Sequence, residues 1–296
     1  MKLQVKNLNK SFDKNIVLQD IHFEIESGSI TALVGRNGSG KTTLLEILAN
    51  ILRADKGDIL LNNKTIKDNI QLQENIVYLP DNFDYFNFIS IEKAMSYYEI
   101  VYDDFDLEYC KKEIESLGIN CKQQLNSLSK GNKSLVGLII CLGTGAKIIL
   151  LDEILDGLDI LNRKKVYEYL IEAASQDKSI LVSSHELEEL QGLSNKVIYL
   201  SLKGDYQVIS LEEKSNILKY QVVTKTSLPQ YFKENTVESF SIGRIHTLLM
   251  EGSSQEWEKR FEEEGIAEYE AHALNIEDLF YWEQGRGIRN EEGREI

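Results

Sequence analysis

With 296 residues, 42% of them hydrophobic, the chain has enough apolar material for one sizeable globular domain and a smaller one, which excludes a wholly disordered polypeptide. Its formal net charge of −15 argues against a nucleic-acid partner, because such binding calls for a basic patch. Cys110, Cys121 and Cys141 are odd in number and lack metal-ligand spacing, so they read as reduced thiols of a cytosolic protein, with Cys141 in the core.

Residues 1–6 alternate apolar and polar side chains, as a strand does and a secretory leader does not. Ile21, Phe23 and Ile25 alternate with Asp20, His22, Glu24 and Glu26, so a second strand has one buried face and one wet face, with His22 on the wet one. Residues 30–34 form a short apolar strand, then a Gly-rich segment, then Leu44, Leu45, Leu48, Ile51 and Leu52 at helical spacing. Residues 59–61 with Asn62-Asn63 predict a hairpin, and 76–79 another buried strand.

From Ser90 to about Leu142 the period becomes helical. Ser90 caps one helix, Gly118 ends another, and Leu135, Leu138, Ile139 and Leu142 mark the apolar face of a third. The longest apolar stretch, 135–142, is far short of the roughly 20 residues that span a bilayer. Strands return at 148–151 and 180–182 around a helix at 162–174, which implies a mostly parallel sheet. Beyond about Ser210, strands at 220–223, 245–250 and 268–273 and helices at 257–264 and 276–282 describe a small α+β appendage. His246 and His272 fall there, as structural or surface residues. Arg286 to Ile296 is a polar tail.

Gly35-Arg36-Asn37-Gly38-Ser39-Gly40-Lys41-Thr42 fits the phosphate-loop pattern G-x-x-x-x-G-K-[ST] and sits between a buried strand and a helix. Glycines let successive backbone N–H groups curl around phosphate oxygens, and the helix N-terminus adds positive potential. Lys41 supplies a mobile charge to the terminal phosphates, and the Thr42 hydroxyl is a Mg²⁺ ligand. The strand 148–151 ends in Asp152 and Glu153. In combination with the loop, Asp152 is placed at Mg²⁺ and Glu153 at the attacking water. His185 follows the strand 180–184, at the edge where ligands of parallel sheets gather.

In this order the motifs resemble the ATP-binding subunits of ABC transporters. Leu128-Ser129-Lys130-Gly131-Asn132 is similar to that family's LSGGQ signature, Asp156-Gly157-Leu158-Asp159 to its D-loop and Ser183-Ser184-His185 to its switch segment. The resemblance covers about residues 1–205. It implies an α/β P-loop NTPase of ABC type, with an antiparallel β subdomain and a helical subdomain at about 82–142. Residues 1–210 then form the ATP-binding domain and 211–296 the small C-terminal one. It further implies that Phe12 stacks on adenine and that Gly35 to Lys41, with Thr42 and Thr43, hold ATP. His185 would orient the water, and Asp159 would act in the D-loop. In a head-to-tail homodimer or heterodimer, Ser129, Lys130, Gly131 and Asn132 would face the ATP of a second ATP-binding subunit. Read without the family, Ser129 is a plain helix cap.

Three departures from the family pattern stand out. Asp81, after Val77-Tyr78-Leu79-Pro80, replaces a Gln and cannot donate as an amide does. Ile154-Leu155 stands where Pro-Thr is usual, and Asn132 replaces Gln. Asp81, the Leu-Ser-Lys-Gly signature and the late Asn275-Ile276-Glu277-Asp278-Leu279-Phe280 resemble the bacitracin-resistance and ABC-2 exporters. That likeness implies export of peptides, antibiotics or lipids through a separate transmembrane permease, with this chain on the cytoplasmic face of the membrane. It also makes Leu279, Phe280 and Trp282 core residues. Phe83, Tyr85, Phe86 and Phe88 read equally as a groove for the permease and as subdomain core. The competing functions are a degenerate nucleotide-binding subunit beside an active sister and a soluble non-transport ATPase of the same superfamily.

Overall fold

The computed structural model describes residues 1–282 apart from 68, 82, 191, 195, 203, 211–215, 226 and 276. Ile276 and the polar tail Arg286 to Ile296 lie outside the described residues. The chain divides into a unit of residues 1–208 and a unit of residues 209–296.

The first unit opens with β1 (Leu3–Phe12) and β2 (Asn15–Ile25), an antiparallel pair in which Val5 faces Phe23 and Leu8 faces Ile21. Strand β3 (Ile30–Gly35) is buried along its whole length and leads into α1 (Lys41–Leu48). β4 (Lys56–Leu61) and β5 (Lys64–Thr65) form the expected hairpin. Asn62 and Asn63 at its tip both adopt positive φ, at 46° and 64°, which suits a tight two-residue turn. These strands make an antiparallel sheet in the order β2-β1-β4-β5.

A short helix α2 (Ile70–Gln73) precedes β6 (Ile76–Leu79). Three helices follow: α3 (Ile91–Val101), α4 (Leu107–Ser116) and α5 (Lys130–Gly143). Ser90 caps α3 by accepting the Lys93 N–H at 3.2 Å, and Gly118 follows α4 at φ 76°. α5 corrects the expected single apolar face. Leu135 through Gly143 are all buried, so this helix is enclosed on every side by its second turn.

Then come β7 (Ile148–Leu151), α6 (Ile160–Ser175), β8 (Ser179–Ser184), β9 (Lys196–Leu200) and β10 (Tyr206–Ser210). They join β3 and β6 in a six-stranded sheet of order β10-β9-β3-β8-β7-β6. Its described pairings at β3, β6, β7, β8 and β9 are parallel. Leu33, Leu44, Leu45, Leu48, Ile148, Leu150 and Leu181 share a core with the antiparallel sheet. Each such side chain fully removed from water contributes about 1.5–3 kcal/mol. The order places β8 between β3 and β7. Val34 is level with Ser184 and Leu151 with Val182, so three strands end side by side.

The second unit contains β11 (Ile217–Val223), α7 (Gln230–Asn235), β12 (Val237–Ile242), β13 (Ile245–Glu251), α8 (Ser254–Glu263) and β14 (Glu268–His272). Its sheet runs β12-β13-β11-β14, antiparallel throughout. Tyr220, Phe232, Phe261 and Tyr269 pack as an aromatic cluster with ring centroids 4.9–6.1 Å apart. Residues 277–282 are helical. Asn275 and Asp278 exchange side-chain-to-backbone hydrogen bonds across the start of this helix, and Lys219 pairs with Asp278 at 2.8 Å. Asn275 and Asp278 therefore form a helix-capping box that Lys219 ties to β11. Leu279 and Trp282 are buried with it, and Phe280 is half-buried. His246 is buried and hydrogen-bonds to Glu238 and Thr224, while His272 lies at the surface. All three cysteines are buried and unpaired, and burial pushes the Cys110 thiol up to about 12.

Candidate nucleotide site

The three strand ends define the site. Beyond β3, the chain turns through Arg36, Asn37 and Gly38, all exposed, before α1 begins. Gly38 and Gly40 take φ values of 84° and 98°, which any side chain would strain. A Cβ on Gly35 would lie 2.4 Å from Ser39 Oγ, and one on Gly40 would lie 2.8 Å from Val17. The glycines are thus demanded by both dihedral angle and space. Ser39 is buried in the loop, and its hydroxyl has no protein partner. Thr43 is half-buried one residue into α1 from Thr42.

Lys41 is 4% exposed and folds back into the loop. Its Nζ donates to the Gly35 carbonyl at 2.7 Å and pairs with Glu153 Oε1 at 3.2 Å. The expected cation and the expected base thus meet directly, a contact that no spacing of residues announces.

Asp152 is buried and fully engaged. It accepts from Thr42 Oγ1 at 2.7 Å and from Ser183 Oγ at 2.5 Å, and Tyr78 OH lies 3.4 Å away. Burial, followed by the neighbouring Asp152 charge, pushes the Tyr78 hydroxyl well above its usual range, so it stays a neutral donor. A hydroxyl and a carboxylate side by side form a hard oxygen donor set. Mg²⁺ is ordinarily held by one or two carboxylates completed by phosphate oxygens and water. Thr42 and Asp152 fit that requirement.

Glu153 adopts φ 46°, in the left-handed region. For a side chain without special stabilisation this costs of order 1–3 kcal/mol, and it persists only where surroundings impose it. Ser183 imposes it here, because its hydroxyl accepts the Glu153 N–H at 2.9 Å while donating to Asp152. Glu153 Oε2 then stands 3.7 Å from His185 Nδ1, too far for a hydrogen bond. His185 Nδ1 is buried without a protein partner. A ligand group approaching the two side chains would find His185 Nδ1 open to it, while Glu153 keeps Oε1 on Lys41.

The signature segment starts α5. Ser129 is its N-cap and accepts the Asn132 N–H at 3.3 Å, so the plain-cap reading describes the free chain. Gly131 packs where a Cβ would lie 2.7 Å from Asn162. Lys130 reaches Asp156 Oδ2 at 2.6 Å and Asp81 Oδ1 at 3.9 Å. The Lys130 hydrogen bond holds the Asp156 carboxyl below its usual range, and Asp156 in turn raises Lys130. Burial pushes the Asp81 carboxyl up and Lys130 opposes this. Glu153, Asp152 and Asp156 push it up further. Asp81, in place of the family's Gln, and Lys130, in place of a Gly of the LSGGQ pattern, are therefore complementary charges on neighbouring segments. Sequence reasoning missed this pairing, although two unlike substitutions of opposite sign were its signal. Asp159 caps α6, accepting from the N–H groups of Leu161 and Asn162.

Phe12 is 46% exposed at the end of β1, with Lys10 Nζ 5.2 Å from its ring centroid, so it presents a face to solvent rather than filling the core. The aromatic group after Asp81 splits between its two readings. Phe83 is buried and stacks edge-on against Phe86 at 5.5 Å, while Tyr85 and Phe88 are each 84% exposed.

A Gly-rich loop, a buried Asp bonded to the helix-start Thr, and a strand order that puts both beside a third strand end define a P-loop NTPase of mixed α/β architecture. Residues 18–156 match the family described as ABC transporter. The chain is 30% identical to the ABC transporter ATP-binding protein YtrB of Bacillus subtilis, over 94% of this chain and 96% of that protein. It is also 30% identical to the cytochrome c biogenesis ATP-binding export protein CcmA of Reclinomonas americana, over 62% of this chain and 84% of that one. A solved structure described as the ATP-binding subunit of an ABC transporter superposes with a TM-score of 0.65 at 22% identity. It covers 72% of this chain and 91% of that chain. The chain belongs to the ATP-binding proteins of ABC transporters, which hydrolyse ATP to power transport. Among the described residues no helix is long and apolar enough to cross a membrane.

Proposed function

We propose that this chain drives a separate transmembrane permease on the cytoplasmic face of the membrane, pairing head to tail with a second ATP-binding subunit around two ATP molecules. The observation that carries the reading is the convergence of Lys41, Thr42, Asp152 and Glu153 at adjacent strand ends, linked at 2.7 Å and 3.2 Å. In this reading the loop from Gly35 to Gly40 cradles the phosphates through its N–H groups, with Thr43 at its foot. Lys41 exchanges Glu153 for the terminal phosphates. Thr42 and Asp152 hold Mg²⁺, which supplies neutralisation of phosphate charge. Glu153 takes the proton of the attacking water, and His185 holds that water or the γ-phosphate through its unpaired ring nitrogen.

Ser129, Lys130, Gly131 and Asn132 then face the ATP held by the other subunit, from the positive end of α5. Asp159 stands at the start of α6 beside that contact. Closing the pair moves the permease, and hydrolysis lets it reopen. The cargo is an exported peptide, antibiotic or other amphipathic compound. The export named for the similar CcmA protein supports the direction. The charge pair at Asp81 and Lys130 supports the likeness to the bacitracin-resistance and ABC-2 group. The exposed Tyr85 and Phe88 are the surface offered to the permease.

Two experiments test this. Affinity purification of the tagged full chain from solubilised membranes is expected to recover a multispanning protein and ATP turnover together. Recovery with ribosomes or nucleic acid instead would overturn the transport role. Replacing Phe12 with Ala is expected to raise KM for ATP by about tenfold, the worth of one aromatic stack on a base, with kcat within about twofold. An unchanged KM would remove Phe12 from the adenine site.

A further inference from the structure

Glu189 is a buried carboxylate, 6% exposed, that the proposed chemistry does not use. It sits in a short 3₁₀ turn, residues 188–190, four residues past His185. Burying an ionised group is costly unless it is paired and hydrogen-bonded, and Glu189 is both. Oε1 accepts from Arg163 Nη2 at 3.1 Å and Oε2 accepts from Ser184 Oγ at 2.6 Å. Its backbone carbonyl accepts from Tyr167 OH. Arg163 and Tyr167 belong to α6, the helix that Asp159 caps. Glu189 therefore ties the segment carrying His185 to the helix that begins at the D-loop.

The bond to Ser184 constrains His185 directly. A serine hydroxyl has one proton and two lone pairs. A carboxylate only accepts, so the Ser184 proton points at Glu189 and a lone pair remains for the Glu186 N–H, 3.0 Å away. His185 is the residue enclosed by that Ser184–Glu186 bridge, a local side-chain turn. Without Glu189, the same proton is free to turn to the Glu186 carbonyl, 2.9 Å away, and the bridge loses its fixed sense. Meanwhile His185 makes no protein hydrogen bond at Nδ1, so its placement depends on the backbone that carries it.

We infer that Glu189 is a positioning residue. Through Ser184 it sets the turn that aims His185 at Glu153, and through Arg163 it makes that aim depend on α6 and hence on the D-loop. The inference rests on the role given to His185 above. It is tested by a mutant cycle on the full chain, reading kcat and KM for ATP together with melting temperature. Glu189→Ala is expected to lower kcat about tenfold or more, as small misplacements at an active site do, with KM within about twofold. The double variant Glu189→Ala with His185→Ala is expected to be no slower than His185→Ala alone, because groups that act as one unit are not additive. Glu189→Gln keeps the size and can still accept from Arg163, but the N–H₂ it then turns to Ser184 donates where the carboxylate accepted, so it is expected to hold the melting temperature near wild type while recovering little of the lost kcat.

Should Glu189→Ala fail to fold, Ser184→Ala takes its place in the same cycle, with the same non-additivity expected. Independent, multiplying losses in the double variant would overturn the inference while leaving His185 in place. Wild-type turnover in His185→Ala would instead overturn the role of His185 itself.

Discussion

Replacing Glu153 with Gln is expected to leave ATP bound while cutting turnover by about 10²–10⁴-fold, the range spanned by removal of a general base. The substitution keeps size and shape, and the Glu153 N–H still bonds to Ser183 at 2.9 Å, so the strained turn at φ 46° is retained. What is lost is a carboxylate able to take a proton. A second consequence follows from the free chain. Lys41 there pairs with Glu153 at 3.2 Å, and both groups are largely withdrawn from solvent, at 4% and 20% exposure. Nucleotide must compete with this internal anion for Lys41. In the Gln variant the competitor is neutral, so ATP affinity is expected to rise as turnover falls. Single-turnover hydrolysis and equilibrium ATP binding check the two halves, and size-exclusion chromatography in ATP is expected to show a trapped dimer. Wild-type turnover would remove Glu153 as the base. Weaker binding would mean that Lys41 is not shared between Glu153 and phosphate.

The legible and illegible parts of this molecule separate along physical lines. Residues 35–42 could be read because a glycine-rich strand-to-helix turn fixes residue type at half of its eight positions, and contiguous residues build it. The strand before Asp152 could be read because all of its residues are buried, leaving an unbroken apolar run. Ser183 could be placed in the switch segment by resemblance, but its bonds to Asp152 and to the Glu153 N–H could not be read. They come from its place one residue past Val182, the partner of Leu151 at the end of β7, in a register that only the sheet order reveals. Glu189 was equally hidden, in the acidic run Glu186, Glu188, Glu189 that a periodic reading treats as solvated surface. α5 was assigned one apolar face because its first turn is polar, whereas enclosure by the surrounding elements uses every side. In the second unit, α7 and β12 escaped notice because each is six residues long, α7 being mostly polar and β12 burying only Val237. α7 buries only Phe232.

Lys41→Ala is expected to abolish measurable ATP binding and turnover at nucleotide concentrations that saturate the wild type. The loop's N–H groups would remain, so the loss isolates the part played by the side-chain charge. A hydrogen bond from a charged group contributes about 1.5–3 kcal/mol in its own right. Removing the side-chain cation that the structure places between Glu153 and the Gly35 carbonyl also leaves Glu153 and the phosphates facing one another without that intervening charge. Repulsion is thereby added to lost attraction. The same argument predicts the behaviour of the protein without nucleotide. Lys41→Ala strands Glu153 at 20% exposure beside the buried Asp152 and is expected to lower the melting temperature, whereas Lys41→Ala combined with Glu153→Gln is expected to restore much of it. Isothermal titration with ATP and thermal unfolding read the two effects separately. Unaltered binding in the single variant would contradict the assignment of the phosphate loop. A melting temperature that the second substitution fails to recover would show that the Lys41–Glu153 contact does not carry the balance of charge at this site.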